Sequence, residues 1–358
     1  MKVHLIGHMP FGSSIFRYGL DISRSVTIPV SYNMFSLRPS FSKSPIINFR
    51  NLQVFNGRRF FLSKLEPFVN YAFIDKIFQT NISQITVDLE NTLGIVHYLD
   101  HLFPPIKMFN DSYQVVTIHD NIYNELNFDN FFYKNIAMKL AKKFKKFQFV
   151  LVDSNYVRNA LTDHGFEGKI VTIYIPVSPE FKIKTDKNNL RKKYGLPTDK
   201  KLILSVSTNA KRKNLKVVKE TTDRLGSNFA LVRIGNKLGN SYSFSSLNND
   251  EISDIYNACD ILLMPSLEEG FGLPVIEAMA CGTPVVASDI PAISEISNGS
   301  AILVEPDVNH CVNGVKEALV AHDELSRKGL QRAKAFSIEL FGEKMTSFYT
   351  SIIKDSIP

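Results

Sequence analysis

The chain has 358 residues, of which 44% are hydrophobic and 22% charged, a composition typical of a folded globular protein that excludes a fibrous or low-complexity chain. The length is too great for one ordinary core and predicts two domains of roughly 150 to 180 residues each. The formal net charge of +7 favours an anionic partner, but charge alone does not choose among a nucleotide, a membrane surface and a nucleic acid.

Two further features bear on location and redox chemistry. No run of about 18 apolar residues is present, and residues 1–7 lack the apolar core of a signal peptide, so we expect a cytoplasmic protein. The three cysteines are odd in number and lack metal-ligand spacing. Cys259, Cys281 and Cys311 are therefore interpreted as structural thiols, and no metal site is predicted.

The first half of the chain alternates short apolar runs with helical stretches, which is typical of a doubly wound α/β sheet. The predicted strands are Val3–Ile6, Thr27–Ser31, Ile95–Tyr98, Val115–Ile118, Phe149–Val152 and Val171–Tyr174. Residues 36–56 are rich in Ser, Pro and Asn and predict an irregular segment with one short edge strand. His119 and Asp120 directly follow a predicted strand, so both are expected at the carboxyl edge of the sheet, and His97 has a comparable position at the end of another strand.

Residues 131–147 combine two faces at helical spacing. Ile136, Leu140, Phe144 and Phe147 form the apolar face, and the positions between them include Lys139, Lys142, Lys143, Lys145 and Lys146. A basic amphipathic helix of this kind can lie on an anionic membrane surface. A helix packed on the core with a solvated lysine face has the same pattern, and both interpretations stay open.

Residues 176–201 interrupt the alternation and contain the predicted linker, with a charged helical piece around residues 190–194. A second alternating series follows. Its predicted elements are a strand over Lys201–Val206, a helix from Asn214, a strand over Phe229–Ile234, a helix from Glu251 and a strand over Asp260–Pro265. The predicted domains are therefore 1–178 and 199–335, joined by a linker over 179–198, and residues 336–358 close the chain with a helix to about Ile353. Two such domains in tandem predict a ligand-binding cleft between the carboxyl ends of two parallel sheets.

The most informative segment of the second half is a glycine-containing turn between two carboxylates, Glu269 and Glu277. Gly270 and Gly272 let the backbone approach a ligand, and Pro274 suits the first turn of a helix from about Leu273 to Cys281. A helix N-terminus at the end of a strand is an anion site, and a carboxylate accepts the two hydrogen bonds of a vicinal diol. The segment therefore predicts a site for a ligand that carries both phosphates and hydroxyls, such as a nucleotide sugar.

A second segment adds positive charge to this expected site. Arg212 and Lys213 follow the predicted strand over Lys201–Val206 and stand at the start of the next helix. Two cations and a helix N-terminus can converge on one diphosphate. A solvated, lysine-rich helix start has the same local pattern.

The stretch from Glu269 to Glu277, followed by Ala-Met-Ala-Cys-Gly-Thr-Pro-Val-Val-Ala-Ser, resembles the donor-binding signature of the retaining GT-B glycosyltransferases of family 4, the glycosyl transferases group 1. The resemblance implies two Rossmann-like domains facing a cleft, with a last helix that crosses back onto the first domain. It also implies a metal-independent enzyme without a cofactor, which moves a sugar from a nucleoside diphosphate sugar to a hydroxyl of a sugar or lipid-linked acceptor. Several members of the family are peripheral membrane enzymes, which is the context in which the basic helix 131–147 would engage the inner face of a membrane.

The resemblance also implies roles for individual residues. The ribose diol falls to Glu277, the leaving diphosphate to Arg212 and Lys213, the hydroxyls of the sugar to His119, and the sugar itself to Glu269 with the backbone of Gly270, Phe271, Gly272 and Leu273. Two loops of the donor site are matched at Thr208 and at Gly12. The chain departs from the family in both, because Ser207 replaces a usual glycine, Thr208 stands where some members carry an arginine, and the loop around Gly12 lacks the usual double glycine.

Other functions use the same features. A sugar-nucleotide epimerase or hydrolase would share the architecture, and a non-catalytic nucleotide-sugar-binding protein would share the donor contacts. The presence of Glu269, Glu277, Arg212 and Lys213 together favours an enzyme over a binding protein. No nucleic-acid partner is expected, because the interleaved basic and aromatic motifs of the usual modules are missing.

Overall fold

A computed structural model of the protein describes residues 2–7, 14–36, 52–56, 94–99, 113–120, 147–166 and 168–354. The chain forms two compact units. The first unit contains Met1–Asp153, Val157–Ile173 and Phe341–Pro358, and the second contains Ser154–Tyr156 and Tyr174–Leu340. Gly12 and residues 131–146 of the predicted basic helix lie outside the described residues.

The first unit is built on a parallel sheet. Its described elements before the second unit begins are β1 (Lys2–Gly7), α1 (Ser14–Ser25), β2 (Val30–Ser36), β3 (Leu52–Asn56), β4 (Gly94–Tyr98), β5 (Tyr113–Ile118), β6 (Phe149–Val152), α2 (Asn155–Asp163) and β7 (Lys169–Thr172). The strand order is β3-β2-β1-β4-β5-β6-β7, and each described pair of neighbours is parallel. Central strands carry fully buried residues on successive positions, as in Val115 and Val116, because helices cover both faces of a parallel sheet.

The structure corrects two strand boundaries and confirms a third. Strand β2 spans Val30–Ser36 rather than Thr27–Ser31. It begins after Pro29, which has no amide hydrogen for the ladder and pairs only through its carbonyl, with the Val3 amide at 2.9 Å. Strand β7 ends at Thr172 rather than Tyr174, whose ring instead packs against Phe336 in the second unit. The short edge strand expected within residues 36–56 is β3, which lies at the edge of the sheet.

The second unit repeats the same architecture. Its elements are α3 (Lys187–Lys193), β8 (Lys201–Val206), α4 (Leu215–Leu225), β9 (Phe229–Ile234), β10 (Tyr242–Phe244), α5 (Asn249–Ala258), β11 (Ile261–Met264), α6 (Leu273–Ala280), β12 (Val285–Ser288), α7 (Pro291–Ser297), β13 (Ile302–Val304), α8 (Val308–Val320) and α9 (His322–Ala333). The strand order is β10-β9-β8-β11-β12-β13, with parallel pairing throughout. Strands β8 and β11 are neighbours at the centre, so their carboxyl ends meet at one edge of the sheet.

Local signals fix several helix ends in this unit. Helix α5 starts at Asn249, two residues before the predicted start, because Asn248 and Glu251 form a reciprocal capping box. Helix α3 is fastened to the unit by Arg191, which is buried and donates to Asp260 at 2.7 Å and to the Ala258 carbonyl at 2.9 Å. Helix α6 has the predicted bounds to within one residue.

The last helix, α10 (Ile338–Lys354), packs on the first unit. Tyr349 and Ile352 are fully buried, and the Tyr349 hydroxyl lies 2.7 Å from His97 Nδ1. Gly342 allows a close approach to helix α1, since a Cβ there would lie 2.4 Å from the Ser25 carbonyl oxygen. The fold class implied by the resemblance is thereby confirmed in its two parallel α/β units and in its final helix.

The three cysteines are buried and free. Burial raises the pKa of the Cys281 thiol to about 12 and that of Cys311 to about 11, which agrees with the interpretation as structural thiols. Among the described helices, none has the length and apolar character needed to span a bilayer.

Candidate active site

The turn between β11 and α6 forms the centre of the site. Gly272 adopts a φ of 102° at the N-cap of α6, a conformation that favours glycine, and a Cβ there would lie 2.5 Å from the terminal methyl of Ile293 and would have to displace it. The ring of Phe271 is buried against Tyr174 and Phe336, with centroids about 6 Å away. The Gly270 carbonyl accepts a 2.7 Å hydrogen bond from the Ser154 hydroxyl, which belongs to the same unit. Contacts within the second unit therefore hold the turn in this conformation without a ligand.

Glu269 connects this turn to the segment that follows β8. Its carboxylate is 6% exposed and accepts two hydrogen bonds from Lys213 Nζ, at 2.6 and 2.7 Å, and one from Arg212 Nη1 at 3.2 Å. Arg212 Nη1 also donates to the Glu268 carbonyl at 3.1 Å, and the Leu267 amide donates to the Arg212 carbonyl at 2.7 Å. The two cations expected for a diphosphate are thus held by the carboxylate expected for the sugar.

Glu277 lies on helix α6 and is 5% exposed. Its Oε2 accepts a 2.9 Å hydrogen bond from the Tyr256 hydroxyl of helix α5. Tyr256 is fully buried, and its carbonyl accepts from the Thr283 hydroxyl at 2.9 Å. The Tyr256 hydroxyl therefore orients the Glu277 carboxylate, one turn into the helix that begins at Leu273.

A buried guanidinium organises the loop before Arg212. Arg233 of strand β9 is fully buried. Its N–H groups donate to oxygens of residues 205–209 and to the carbonyl of Asn236. Its acceptors are the Asn236 carbonyl at 2.7 Å, the Ser207 carbonyl at 2.9 Å, Asn209 Oδ1 at 3.1 Å, Ser207 Oγ at 3.2 Å, Ser205 Oγ at 3.3 Å and the Thr208 carbonyl at 3.5 Å. Desolvation lowers the pKa of Arg233, which still remains charged at neutral pH because an arginine does not deprotonate there.

His119 lies at the carboxyl end of β5 in the first unit and is held by two acceptors. Its Nδ1 is 2.5 Å from Asp153 Oδ2 and its Nε2 is 2.8 Å from the Leu99 carbonyl, while the Tyr18 ring packs edge-on at 5.1 Å. Burial raises the pKa of Asp153, and the adjacent His119 opposes that rise. His119 and Asp153 can share a proton. Because both ring nitrogens of His119 already contact the protein, either nitrogen must leave its present partner before it can bind a ligand.

His97 belongs to a second, fully buried network in the same unit. Its Nε2 lies 2.7 Å from the Thr117 hydroxyl, and its Nδ1 contacts Tyr349 of α10. Burial, and to a smaller extent the neighbouring His119, lowers the pKa of His97 to about 3. The imidazole is therefore neutral at physiological pH and links the last helix to the sheet, which is a structural task.

Comparison with known families decides the class of the second unit. Residues 186–334 match the family described as glycosyl transferases group 1. The second unit contains a glycosyl transferases group 1 domain. This group 1 domain includes Thr208, Arg212, Lys213, Glu269 and Glu277, whereas His119 and Gly12 lie outside the matched residues.

Curated relatives extend the likeness beyond the domain. The chain is 32% identical over 204 residues to the O-antigen chain mannosyltransferase RfbU of Salmonella typhimurium, an alignment that covers 54% of this chain and 57% of the relative. It is 29% identical over 185 residues to the D-inositol 3-phosphate glycosyltransferase of Mycolicibacterium smegmatis, covering 45% of this chain and 43% of that protein. The chain therefore spans about half the length of these relatives.

Solved structures resemble the whole chain. Sucrose-phosphate synthase from Thermosynechococcus elongatus has a TM-score of 0.78 at 16% identity, with 99% of both chains covered. Anabaena HepE in complex with UDP and glucose has a TM-score of 0.76 at 15% identity, covering 98% of this chain and 100% of HepE. At this level of identity the likeness demonstrates a shared fold.

Sequence reasoning grouped the main residues of the group 1 domain but missed others. Arg212, Lys213 and Glu269 come into direct contact, Glu277 lies on the helix that follows, and the roles given to all four stay predictions. Two residues were missed, Arg233 and Tyr256. Arg233 had a visible signal, because it is a charged residue within the otherwise apolar strand Phe-Ala-Leu-Val-Arg-Ile.

Proposed function

We propose that the protein is a retaining, metal-independent glycosyltransferase that moves a sugar from a nucleoside diphosphate sugar to an acceptor hydroxyl. The observation that carries the proposal is the contact of Lys213 and Arg212 with Glu269 beside the N-terminus of helix α6, within a group 1 domain. The named activities of the relatives and the UDP bound to HepE support a nucleotide-sugar donor.

The proposed division of the donor follows the chemistry of each group. Glu277, oriented by Tyr256, accepts hydrogen bonds from the ribose diol. Lys213 directs two of its three N–H donors at Glu269, and within the described structure the third remains for a phosphate oxygen. Glu269 in turn keeps both cations near the turn, so that they do not have to be gathered when the donor arrives.

The reaction itself is a substitution at the anomeric carbon. The bond from that carbon to the diphosphate oxygen breaks, its electron pair stays on the diphosphate, and the acceptor oxygen forms the new bond on the same face. The acceptor proton passes to the departing diphosphate. Lys213 and Arg212 stabilise the negative charge that develops on the leaving oxygen. Such electrostatic stabilisation of the transition state is usually the largest single contribution to catalysis.

Nucleotide binding tests the proposal directly. Titration calorimetry with UDP, GDP, dTDP and ADP, and with the corresponding sugars, identifies the donor, and the mannosyltransferase relatives make nucleotide-linked mannose the first to be tried. We expect Lys213→Ala and Glu277→Ala to fold and to lose at least about tenfold in affinity, which corresponds to about 1.4 kcal/mol.

Lys219→Ala is the matched control for Lys213→Ala. Lys219 lies exposed on helix α4 and pairs with Asp223, so its removal makes the same change in net charge away from the turn. Equal losses in the two lysine variants, or unchanged affinity in Lys213→Ala, would contradict the assignment. The anomeric configuration of the product, read by NMR, tests retention, and turnover in excess EDTA tests the requirement for a metal.

The alternatives give different products. An epimerase or hydrolase would release an epimer or free sugar when only the nucleotide sugar is supplied, whereas a binding protein would release neither with any acceptor. His119 receives its own test: His119→Ala should reduce turnover of a bound nucleotide sugar more than it reduces affinity for the free nucleotide.

A further inference from the structure

Arg233 is an unusual residue for the position that it occupies. It lies in strand β9, next to the central strand β8, and its side chain is fully excluded from solvent. A buried charge is costly unless it is paired or fully hydrogen-bonded. In the described part of the chain no carboxylate pairs with Arg233, and its acceptors are all neutral oxygens. The positive charge is therefore stabilised by dipoles but is not neutralised.

The acceptors of Arg233 are concentrated in one segment of the chain. Most of them belong to Ser205–Asn209, the end of β8 and the loop that leads directly into the turn carrying Arg212 and Lys213. Gly235 brings the backbone of β9 close to the same loop, since a Cβ there would lie 2.4 Å from the Ser207 carbonyl oxygen. The guanidinium thus determines the path of the loop at the carboxyl edge of the sheet, where parallel sheets bind their ligands.

Charge balance distinguishes Arg233 from the other cations of the site. Arg212 and Lys213 share the carboxylate of Glu269, so part of their charge is compensated before any ligand binds. Arg233 has no such partner among the described residues. Its guanidinium also reaches the Thr208 carbonyl from the neighbouring strand, at 3.5 Å.

We propose that Arg233 is the positioning residue of the donor diphosphate site, holding the Ser205–Asn209 loop in place and supplying uncompensated positive charge behind Arg212 and Lys213. This inference rests on the proposed use of a nucleoside diphosphate sugar. Arg233 does not touch the ligand. It acts by holding the loop and by the electrostatic attraction between its charge and the diphosphate. This attraction is little screened by salt because the side chain is buried.

The test compares three variants by calorimetry, using whichever of UDP and GDP the wild type binds, together with the matching nucleoside monophosphate. Arg233→Met removes the charge and all donors but keeps the aliphatic stem. Arg233→Lys keeps the charge and loses the planar set of donors. Arg224→Met is the matched control, since Arg224 lies exposed on helix α4 of the same unit and donates to Asn309.

The expected result is selective for the diphosphate. Arg233→Met should weaken diphosphate binding about tenfold or more, as expected for one nearby charge at moderate dielectric, and weaken the monophosphate less. Arg233→Lys should lie between Met and wild type, at about threefold weaker than wild type. Arg224→Met should bind both nucleotides as the wild type does.

Several outcomes would overturn the inference. If Arg233→Met lowers the melting temperature but binds the diphosphate within twofold of wild type, Arg233 is only structural. If Arg233→Met fails to fold, Arg233→Lys decides alone, and wild-type diphosphate affinity in that variant refutes the proposal. Loss of both nucleotides in equal proportion would mean general damage to the unit. A wild type that binds no nucleoside diphosphate overturns the proposed function as well, whereas the other outcomes leave it standing.

Discussion

His97 should make the stability of the first unit strongly dependent on pH. Its pKa is about 3 in the folded protein, where burial opposes the charged form, and 6.5 in an unfolded chain. Above pH 6.5 the imidazole is neutral in both states and its full contribution to stability is present. As the pH falls below 6.5, the unfolded state gains a proton that the folded state cannot bind, so the free energy of unfolding decreases by about 1.4 kcal/mol per pH unit until pH 3.

The size of the effect at accessible pH follows from these values. Between pH 7 and pH 5 the unfolded imidazole passes from mostly neutral to mostly charged, and the folded one stays neutral. The expected loss is about 2 kcal/mol, a large fraction of the stability of an ordinary domain. Other titrating groups contribute as well, so the measurement must isolate this histidine.

The assay compares wild type with His97→Gln in urea at pH 7, 6 and 5. Pulsed hydrogen exchange, read by mass spectrometry on peptides from β4 and α10, reports the unfolding of the first unit separately from the second. The variant is expected to be less stable at pH 7, because it loses a contact to Tyr349 or Thr117, but its stability should fall by about 2 kcal/mol less than that of wild type on going to pH 5. Exposed His164→Gln is the control. Equal pH dependence in wild type and His97→Gln would refute a buried, neutral His97.

Three further predictions concern packing and charge. Lys213→Met leaves Glu269 buried, with Arg212 as its one remaining cationic partner in the part of the chain that the structure describes. We expect a loss of about 3 kcal/mol in the stability of the second unit. In urea titrations, adding Glu269→Gln to this variant should restore more than half of that loss. A double variant no more stable than the single one would exclude the pair as the cause. Gly342→Ala forces a Cβ against a carbonyl of helix α1 and should lower the free energy of unfolding by at least about 2 kcal/mol, measured in thermal melts. Gly165→Ala is the control: its added Cβ contacts nothing, and only the positive φ should cost about 1 kcal/mol. Burial raises the pKa of Cys281 from 9.0 to about 12, which lowers its thiolate fraction at pH 8 about a thousandfold. The more basic thiolate is the better nucleophile, so a disulfide reagent at pH 8 should label the native thiol at least about thirtyfold more slowly than the unfolded one, and rapid labelling would place that thiol at the surface.

Much of the fold was predictable because parallel strands carry continuous apolar runs. Strands β4, β6, β8 and β9 were predicted within a residue at each end, since nothing in their flanks competes with the apolar pattern. Strand β2 was misplaced because the apolar run begins before a proline that cannot donate to the ladder. The capping box of helix α5 was present in the sequence and would have given its true start.

The sequence placed Arg212, Lys213 and Glu269 in one group, but it did not reveal their contacts, and their roles stay predictions. Glu269 and Lys213 are 56 residues apart, and only the adjacency of β8 and β11 in the sheet brings them together. The two acceptors of His119 come from the ends of other strands, which a single strand pattern does not reveal. Arg233 required the opposite reasoning, because a charged residue in a buried strand needs partners, and those partners turned out to form the loop before Lys213.

The first unit is assembled from stretches that the second unit separates along the chain. Helix α10 supplies Tyr349 to the His97 network, yet it is translated after the whole of the second unit. Synthesis proceeds from the N-terminus at roughly 5 to 20 residues per second, so the second unit can fold on the ribosome while the first still awaits its final helix. A fragment that ends before α10 would expose the apolar surface around His97, and we expect such a fragment to aggregate rather than to behave as an independent domain.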